Sequence, residues 1–265
     1  MTAIAVTIAG SDSSGGAGIQ ADLKTFSALG VYGASVITAL TAQNTLGVTG
    51  IHEVPPEFVA AQIDAVFSDL KVSAVKIGML WRPETIAEVA AGLDRHRQTN
   101  VVLDPVMVAS SGDRLLRPEA VENLRRLLIP RARLLTPNLP EAAALLDAVI
   151  ADDEPAMREQ AERLLALGAR AVLIKGGHGS GPESVDLLVE RGAVLRLPAE
   201  RIHTANTHGT GCTLSSAVAA GLAKAMPLAE AVRAAKAYVT AAIAAADRLT
   251  VGTGHGPVHH FHRWW

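Results

Sequence analysis

The sequence predicts an α/β fold: a doubly wound, mainly parallel central sheet flanked by helices on both faces. Short apolar runs typical of strands alternate with longer amphipathic runs typical of helices along nearly all 265 residues. Hydrophobic residues make up 49% of the chain but aromatic residues only 3%. The core must therefore be aliphatic, as in parallel sheets that are covered on both faces. No linker, repeat or low-complexity segment divides the chain, so we expect one domain over residues 1–265.

The first half of the chain contains four predicted strands and three predicted helices. The strands are residues 4–9, 34–42, 72–77 and 101–103, and the helices are residues 19–29, 55–70 and 83–97. The helix over residues 55–70 has its apolar residues on one face at a spacing of about 3.6; they are Val59, Ile63, Val66, Phe67 and Leu70. Pro56 fits its first turn, where a missing N–H does no harm.

The second half continues the alternation and ends in two alanine-rich helices. The predicted helices are residues 118–128, 137–146, 155–167, 213–224 and 228–249, and the predicted strands are residues 134–136 and 171–175. Residues 185–189 and 193–197 are predicted to form a hairpin across residues 190–192.

Charge and composition exclude several classes of protein. The formal net charge is −2 and no long run of like charge exists, so a nucleic-acid groove is not indicated. No apolar run reaches the roughly 20 residues that cross a bilayer. Cys212 is the only cysteine, which rules out an intrachain disulfide and is typical of a reducing compartment. The apolar run at residues 4–9 is too short for a signal peptide and lacks a basic leader, so we expect a cytoplasmic protein.

Residues with useful chemistry follow the predicted strands. In open α/β sheets, ligands bind beyond the carboxyl ends of the strands. Six candidate residues come directly after strands or at their ends: Asp12, Gln43, Met79, Asp104, Asn138 and Lys175. We therefore expect them at one edge of the sheet.

The strongest local motif is Thr207-His208-Gly209-Thr210-Gly211-Cys212-Thr213, which opens a helix. Its glycines allow several N–H groups to point at one spot, and the helix N-terminus adds about half a positive charge there. Such a turn could hold a phosphoryl group during transfer. The alternative is an ordinary glycine turn before a buried helix.

The loop over residues 10–18 also follows a strand and opens a helix. Gly16, Gly18 and Ala21 match the spacing of a dinucleotide fingerprint, but no Asp or Glu lies between Asp22 and Glu53 to hold a ribose. A nicotinamide site is therefore rejected. No P-loop sequence exists either, so a kinase here needs another phosphate-binding device.

Asn138 and Glu141 lie three residues apart at a helix start. An amide and a carboxylate near a phosphate can hold a water-rich magnesium ion. The alternative is a helix cap, with Asn138 as the N-cap and Glu141 as its partner. Asp104 could face a metal or a nucleotide, and the alternative is that it initiates a turn with Pro105. Lys175 could bind a phosphate, and the alternative is that it is a solvated loop lysine.

Four histidines crowd the C-terminal residues: His255, His259, His260 and His262. They could bind a metal, but we interpret them as part of a tail that packs on the surface beside Trp264 and Trp265. The sequence contains no H-E-x-x-H, C-x-x-C or G-x-S-x-G motif, so zinc and serine hydrolase chemistry lack support.

Taken together, these segments resemble the hydroxymethylpyrimidine/phosphomethylpyrimidine kinases of thiamine biosynthesis, within the ribokinase-like superfamily. The motifs in chain order are AGSDSSGGAGIQAD at residues 9–22, TAQNT at 41–45, KIGML at 76–80, TPNLPE at 136–141, KGGH at 175–178 and NTHGTGCT at 206–213. The resemblance extends from Ile4 to the segment GPVHHFH at residues 256–262.

The resemblance implies phosphorylation of 4-amino-5-hydroxymethyl-2-methylpyrimidine and then of its monophosphate, with ATP and Mg²⁺. It implies that Asp22 and Gln43 read the amino group and ring nitrogens, while Met79 and Val106 wall the ring. Gly10 and Ala17 are further candidates for substrate contact. The resemblance also implies a homodimer.

The resemblance assigns the nucleotide side to a second set of residues. Asn138 and Glu141 match the magnesium-organising pair, and Lys175 matches a cation near the nucleotide. Other candidates for nucleotide contact are Asp104, Thr207 and Lys236. The anion hole falls on Gly209, Thr210 and Gly211, and the catalytic position falls on Cys212.

Cys212 stands where the wider superfamily usually has an aspartate base. A fixed carboxylate would repel the second substrate, whose phosphate already carries about −1.5 to −2 charges. A thiol can stay neutral, or become a thiolate because a helix N-terminus lowers its pKa. We hypothesise that Cys212 permits both steps.

Three other functions remain to be compared with this one. A kinase for pyridoxal or another vitamin alcohol would have the same fold, and Gln43 is the residue expected to matter for the distinction. A non-catalytic nucleotide or pyrimidine sensor could retain the fold without activity. A dehydrogenase is disfavoured by the missing ribose acid.

Overall fold

Ten strands form the sheets in residues 2–109, 112–178 and 183–265, which are the residues that the computed structural model describes. In chain order they are β1 (Ile4–Ala9), β2 (Tyr32–Ile37), β3 (Ala39–Asn44), β4 (Gly47–Glu53), β5 (Ala74–Ile77), β6 (Val101–Leu103), β7 (Leu134–Leu135), β8 (Ala171–Ile174), β9 (Asp186–Glu190) and β10 (Ala193–Leu197).

Eight of these strands make one sheet in the order β10-β9-β8-β7-β6-β5-β1-β2. All neighbours from β8 to β2 are parallel, while β8–β9 and β9–β10 are antiparallel. The predicted hairpin of β9 and β10 is therefore confirmed. The carboxyl ends of β1, β5, β6, β7 and β8 share one edge, which is the edge where the sequence predicts a site.

Helices cover both faces of this sheet, as predicted. They are α1 (Gly18–Ala28), α2 (Pro56–Asp69), α3 (Pro83–Arg95), α4 (Ala120–Asn123), α5 (Leu139–Leu146), α6 (Glu154–Ala166), α7 (Thr210–Ala223) and α8 (Leu228–Ala244). One core lies under α2, α3, α5 and α6, and a second lies under α1, α7 and α8. Side chains of β5 alternate between them: Val75 and Ile77 enter the first core, and Ala74 enters the second.

The predicted strand over residues 34–42 is wrong, because the chain forms two strands there. β2 ends at Ile37 and β3 begins at Ala39, leaving the main sheet to pair antiparallel with β4. Thr38 makes the turn: its N–H donates to Ala9 O, and its hydroxyl donates to Met79 O at 2.7 Å. The β3–β4 hairpin therefore stands over the carboxyl edge of the main sheet.

Three helices also differ from the expectation, and one of them is α8, which ends at Ala244 instead of residue 249. The helix predicted over residues 118–128 starts as α4 and continues as a π-helical turn, Leu124–Leu128. Helix α7 begins at Thr210, three residues earlier than predicted, so Cys212 lies inside its first turn. Within the described ranges, no helix has the length and apolar character to span a membrane.

Candidate active site

The candidate residues that follow β5, β6, β7 and β8 meet at the shared edge. Lys175 Nζ lies 2.8 Å from Asp104 Oδ1, and Lys175 also forms a parallel β-bridge with Asn138. A Cβ on Gly10 would lie 2.8 Å from Met79 Sδ, so Met79 packs directly on the turn after β1. These residues therefore lie together at one edge of the sheet, as expected for residues that follow parallel strands.

The turn before α7 is tightly built around Gly209. Its φ of 79° is in the left-handed region, and a Cβ there would lie 1.9 Å from Gly16 O. The N–H and hydroxyl of Thr213 both donate to Gly209 O, each at 2.8 Å. A glycine is therefore required at this position by both conformation and space.

Two N–H groups in the first turn of α7 are available to a ligand. The N–H of Thr210 donates to Thr207 O at 3.2 Å, as does its hydroxyl at 2.7 Å. In the part of the chain that the structure describes, no hydrogen bond uses the N–H of Gly211 or Cys212. These groups point out of a helix N-terminus, where anions are stabilised.

His208 joins this turn to the glycine-rich loop after β1. Its Nε2 lies 2.8 Å from Asp12 Oδ2, which also accepts the N–H groups of Gly16 and Ala17. Burial would raise the pKa of Asp12, but the hydrogen bonds from His208, Ser14 and Ala17 hold it well below the usual value. Asp12 is therefore a carboxylate that organises the loop.

An apolar slot lies between the β3–β4 hairpin and the ends of β5 and β6. Met79 and Val106, both predicted wall residues, belong to one apolar cluster with Ala39 and Leu115. Gln43 lies beside this slot on the hairpin, immediately after an irregularity in strand register at Ala42. Apolar side chains of this kind predominate in the lining of small-molecule sites.

Gln43 is held in place from two directions. Its backbone N–H donates to Ser13 Oγ at 2.9 Å, and the Ser13 hydroxyl donates to Gln43 O at 2.7 Å. In its side chain, Oε1 lies 3.0 Å from Thr41 Oγ1, and Nε2 lies 3.5 Å from His208 Nε2. The carboxamide therefore sits between the slot and the turn before α7.

Asp22, which the resemblance implied as a substrate-reading residue, lies in a buried hydrogen-bond network. Its side chain is fully buried, and both carboxylate oxygens are occupied. Oδ2 accepts from Thr7 at 2.6 Å and from Lys76 at 2.8 Å, and Oδ1 accepts from Ser216 at 2.6 Å. These contacts satisfy the Asp22 carboxylate within the protein, and its contact with a pyrimidine stays a prediction.

Asp104, Lys175 and Glu141 form a buried charge cluster. Lys175 Nζ lies 3.8 Å from Glu141 Oε2 as well as 2.8 Å from Asp104. Burial would raise the pKa of Asp104, but the Lys175 and Lys76 ammonium groups lower it. Burial would lower the pKa of Lys175, but the two carboxylates raise it. Asp104 and Lys175 are therefore both charged.

Asn138 and Glu141 form the helix cap that the sequence offered as an alternative. Asn138 Oδ1 accepts from the N–H of Glu141, and Glu141 Oε2 accepts from the N–H of Asn138, each at 2.8 Å. Burial raises the pKa of Glu141 to about 7, although Lys175 opposes that shift. Oxygens engaged in this way fit a metal that keeps its own water shell.

Lys236 on α8 reaches the turn after β8 through Asp186. Its Nζ lies 2.7 Å from Asp186 Oδ2, and Asp186 Oδ1 accepts the N–H of Gly176 at 2.9 Å. Lys236 thus lies near the glycine pair that follows Lys175, on the side where a nucleotide was expected. Thr207 is exposed in the turn before α7.

Cys212 is half-buried in the first turn of α7. Burial raises the pKa of Cys212 to about 11, although Lys76 and the Gly18 N–H oppose that shift. This direction favours the neutral form of the thiol, which is one of the two states predicted from the sequence.

The C-terminal histidines are more buried than expected. His259 and His260 are almost inaccessible, and His260 Nε2 lies 3.0 Å from Thr213 Oγ1. His208 pairs with Pro257, so this segment supports the turn before α7 from behind. Among the described residues, no group of three or more His, Cys, Asp or Glu side chains could hold a metal ion.

No individual role was predicted for His208, Lys76 or Ser216, and Asp12 was predicted only as a candidate at a strand end. Asp12, Lys76 and His208 lie inside the motifs that carry the resemblance, and this was the available signal. Ser216 follows Cys212 by four residues on α7, which places it on the same helix face. Their partners lie up to 196 positions away in the chain, so sequence spacing could not connect them.

The chain is similar to known proteins over nearly its whole length. A family model described as phosphomethylpyrimidine kinase matches residues 12–259. The chain is 66% identical over 265 residues to a hydroxymethylpyrimidine/phosphomethylpyrimidine kinase of Rhizobium meliloti, covering 100% of this chain and 99% of the relative.

Two solved structures are similar over most of the chain. An ADP complex of Bacillus subtilis pyridoxal kinase has a TM-score of 0.90 at 38% identity, covering 98% of both chains. A phosphomethylpyrimidine kinase from Clostridium difficile has a TM-score of 0.81 at 47% identity, covering 91% of this chain and 99% of that one.

Proposed function

The chain belongs to the phosphomethylpyrimidine kinase family, and on this premise we propose that it acts in thiamine biosynthesis as a kinase of two successive substrates. The first is 4-amino-5-hydroxymethyl-2-methylpyrimidine and the second is its monophosphate, with ATP as the donor. A relative named for both activities at 66% identity over the full length supports this assignment.

One observation supports phosphoryl transfer most strongly. The N–H groups of Gly211 and Cys212, which have no partner among the described residues, open beside the Asp104–Lys175 pair. A Cβ on Gly211 would lie 3.4 Å from Lys175 Nζ. Fixed N–H dipoles and a buried cation at one point stabilise the charge on a phosphoryl group during transfer.

The apolar slot supports a small aromatic alcohol as acceptor. We assign the ring to the space between Met79 and Val106, with Gly10 and Ala17 at the turn after β1. The Gln43 carboxamide can offer both a donor and an acceptor to an aminopyrimidine edge.

The nucleotide lies on the other side of α7 in this proposal. Lys175 supplies positive charge to its phosphates, and Thr207 and Lys236 line the approach. Asn138 and Glu141 would hold Mg²⁺ through water, with Asp104 nearby. When bound, the ion neutralises charge on the phosphate oxygens.

Cys212 occupies the position nearest the acceptor in this arrangement. As a neutral thiol it adds no negative charge beside a substrate that already bears a phosphate. Positioning and charge stabilisation provide most of the catalysis.

The test is ATP turnover with each substrate separately. Purified protein with Mg²⁺ and ATP should convert the pyrimidine alcohol to the monophosphate and the monophosphate to the diphosphate, followed by chromatography. ATP binding without turnover of either compound would favour the sensor and reject the kinase. Turnover of the alcohol alone would reject the second step.

Pyridoxal kinase is the second candidate, because a pyridoxal kinase matches with a TM-score of 0.90. Both activities need the same fold, so discrimination must come from the slot. The kcat/KM for pyridoxal should be at least about ten-fold below that for the pyrimidine alcohol, equivalent to one good hydrogen bond. A higher kcat/KM for pyridoxal than for the pyrimidine alcohol would make pyridoxal kinase the first candidate.

We also propose that the protein is a cytoplasmic homodimer. Its single cysteine supports a reducing compartment, and the kinship with phosphomethylpyrimidine kinases supports the dimer. Analytical ultracentrifugation should give twice the monomer mass of 27.6 kDa.

A further inference from the structure

The carboxamide of Gln43 has two orientations that differ by a half-turn about its last side-chain bond. The half-turn exchanges Oε1 with Nε2 and leaves the shape of the group unchanged, so its hydrogen-bond partners decide between the two orientations. One end of the carboxamide lies 3.0 Å from Thr41 Oγ1, and the other end lies 3.5 Å from His208 Nε2. The hydrogens of these two neighbours therefore determine what Gln43 presents to a bound ring.

At the His208 end, the imidazole must be a donor. His208 Nε2 lies 2.8 Å from Asp12 Oδ2, and the Asp12 carboxylate already accepts four hydrogen bonds from the loop after β1. An ionised carboxylate only accepts, so the hydrogen of the His208–Asp12 contact resides on Nε2, in the neutral imidazole and in the imidazolium alike. An N–H₂ group of Gln43 would meet a second donor here, whereas Oε1 meets a compatible partner.

At the other end, the Thr41 hydroxyl must be an acceptor. It donates its one hydrogen to Ser11 O at 2.8 Å, and a backbone carbonyl can only accept. Thr41 Oγ1 therefore has lone pairs for Gln43 but no hydrogen. Nε2 of Gln43 fits this position and Oε1 does not, so Thr41 requires the same orientation that His208 requires.

The His208 ring is held in place by its surroundings as well as by Asp12. The side chain of His208 is 8% exposed and that of Asp12 is 1% exposed. The backbone N–H of His208 donates to Gly256 O at 3.0 Å, and a Cβ on Gly16 would collide with ring atom Cδ2. Rotation of the imidazole away from the carboxylate would displace the loop after β1, so Nε2 is a fixed donor beside Gln43.

We propose that His208 and Thr41 are positioning residues that fix the Gln43 carboxamide with Nε2 toward Thr41 and Oε1 toward His208. Gln43 then presents a donor and an acceptor to the slot in a single order. The orientation of the carboxamide does not depend on the proposed function, whereas its consequence for substrate choice rests on that function.

The consequence is selection of an aminopyrimidine over its oxo analogue. A 4-aminopyrimidine offers a ring-nitrogen acceptor beside an amino donor, which complements Nε2 and Oε1 of the fixed carboxamide. The 4-oxo analogue has a ring N–H donor beside a carbonyl acceptor, so donor would meet donor and acceptor would meet acceptor. The ring cannot turn over to escape this mismatch, because its hydroxymethyl group must point at the transfer site.

Discrimination between the two compounds tests the proposal. Turning the carboxamide to suit the oxo compound would break both anchors, so kcat/KM for the amino alcohol should exceed that for the 4-oxo alcohol about 100-fold, ten-fold for each hydrogen bond. His208→Leu and Thr41→Val should each lower this ratio about ten-fold, and the double variant should bring it close to one. His208→Gln, which keeps an N–H near the position of Nε2, and Thr41→Ser, which keeps the hydroxyl, should retain most of the discrimination.

His203→Leu is the matched control, because His203 is an exposed histidine five residues upstream of His208. It should leave the ratio unchanged. A purely structural role of His208 would lower kcat/KM for both compounds by the same factor. An unchanged ratio in His208→Leu and in Thr41→Val would therefore overturn the proposal. If His208→Leu does not fold, Thr41→Val decides the question from the other end of the carboxamide.

The hydrogen on His208 is measurable without turnover. In protein that carries isotope-labelled histidine, nitrogen NMR should show an Nε2–H signal that disappears in His208→Gln. A His208 ring with its hydrogen on Nδ1 alone would overturn the proposal, because Nε2 would then be an acceptor. Absence of any turnover in the unaltered protein would reject the proposed function, and the NMR result would still decide the orientation of Gln43.

Discussion

Lys175 Nζ lies 2.8 Å from Asp104 Oδ1, and this ion pair joins the ends of β8 and β6. The Asp104 side chain is 2% exposed and that of Lys175 is 13% exposed. Removing one partner of a buried pair of this kind strongly destabilises the fold, because the remaining charge is buried without hydration. The pair therefore links the stability of the sheet edge to the chemistry of the site.

Replacement of this cation should damage both stability and activity. Lys175→Met removes the cation that is paired with Asp104 and lies near Glu141, so we expect a loss of about 3–5 kcal/mol in the free energy of unfolding. Urea denaturation measures it, and kcat should fall at least about 100-fold, as for loss of one transition-state donor.

The control for that variant is Arg158→Met. Arg158 forms an exposed pair with Glu162, and both side chains are more than half accessible. Its loss should cost at most about 0.5 kcal/mol. An equal loss of unfolding free energy in Lys175→Met and Arg158→Met would show that the buried pair contributes no more to stability than the exposed pair.

Gly209→Ala should remove transfer activity. The added Cβ would meet Gly16 O at 1.9 Å, so the turn before α7 and the loop after β1 must separate. Gly192→Ala is a control with nearly the same φ, 81° against 79°, but with open space around the new Cβ. Gly192→Ala should lower the free energy of unfolding by about 1 kcal/mol and leave kcat unchanged. Comparable kcat in both variants would argue against a role for the turn.

Cys212→Asp should impair the second step more than the first. The new carboxylate would be a third anion beside Asp22 and Asp104, and it would repel a phosphate-bearing acceptor. Separate kcat/KM values for the alcohol and the monophosphate measure the difference, which should exceed about ten-fold. Cys212→Ser, which stays neutral, should lower both steps by similar factors. The hypothesis fails if aspartate affects both steps equally.

Acid should destabilise the protein through His260. Burial lowers the pKa of His260 to about 3, so the folded state keeps it neutral while the unfolded chain takes up a proton below pH 6.5. Stability is therefore complete above pH 6.5 and is lost as the pH falls from 6.5 toward 3, by about 1.4 kcal/mol per pH unit.

A variant without this titration isolates its contribution. The free energy of unfolding should drop by about 2 kcal/mol less for His260→Gln than for the parent between pH 7.5 and pH 5. Urea denaturation at the two pH values gives the comparison. Parallel losses in both proteins would show that His260 does not titrate on unfolding.

Much of the fold follows from periodicity and from glycine and proline positions. β1, α1, α3 and the β9–β10 hairpin lie within about two residues of their predicted bounds. The β3–β4 hairpin was missed because residues 41–50 are rich in Thr and Gly and show no alternation of apolar residues. That hairpin is held by contacts with distant residues such as Ser11 and Ser13, which a local pattern does not contain.

Site residues could be predicted from the sequence where polar or reactive side chains directly follow strands. They could not be predicted where a side chain is bound by partners far away in the chain. Met79, Asp104 and Lys175 follow strands, and the parallel sheet brings them together. Asp22 is different, because it lies on a helix face whose partners are Thr7, Lys76 and Ser216. The resemblance implied a substrate contact for Asp22, but sequence spacing could not indicate that its carboxylate is bound by these three buried partners.

The bridge between His208 and Pro257 has a consequence for biosynthesis. The turn that precedes α7 is supported by residues far downstream, with the His208 N–H donating to Gly256 O and the Val258 N–H donating to His208 O. A nascent chain on the ribosome can assemble its sheet early but lacks these partners until residue 258 has left the exit tunnel. We therefore expect ATP consumption to begin only after residues 256–258 have emerged from the ribosome and paired with His208.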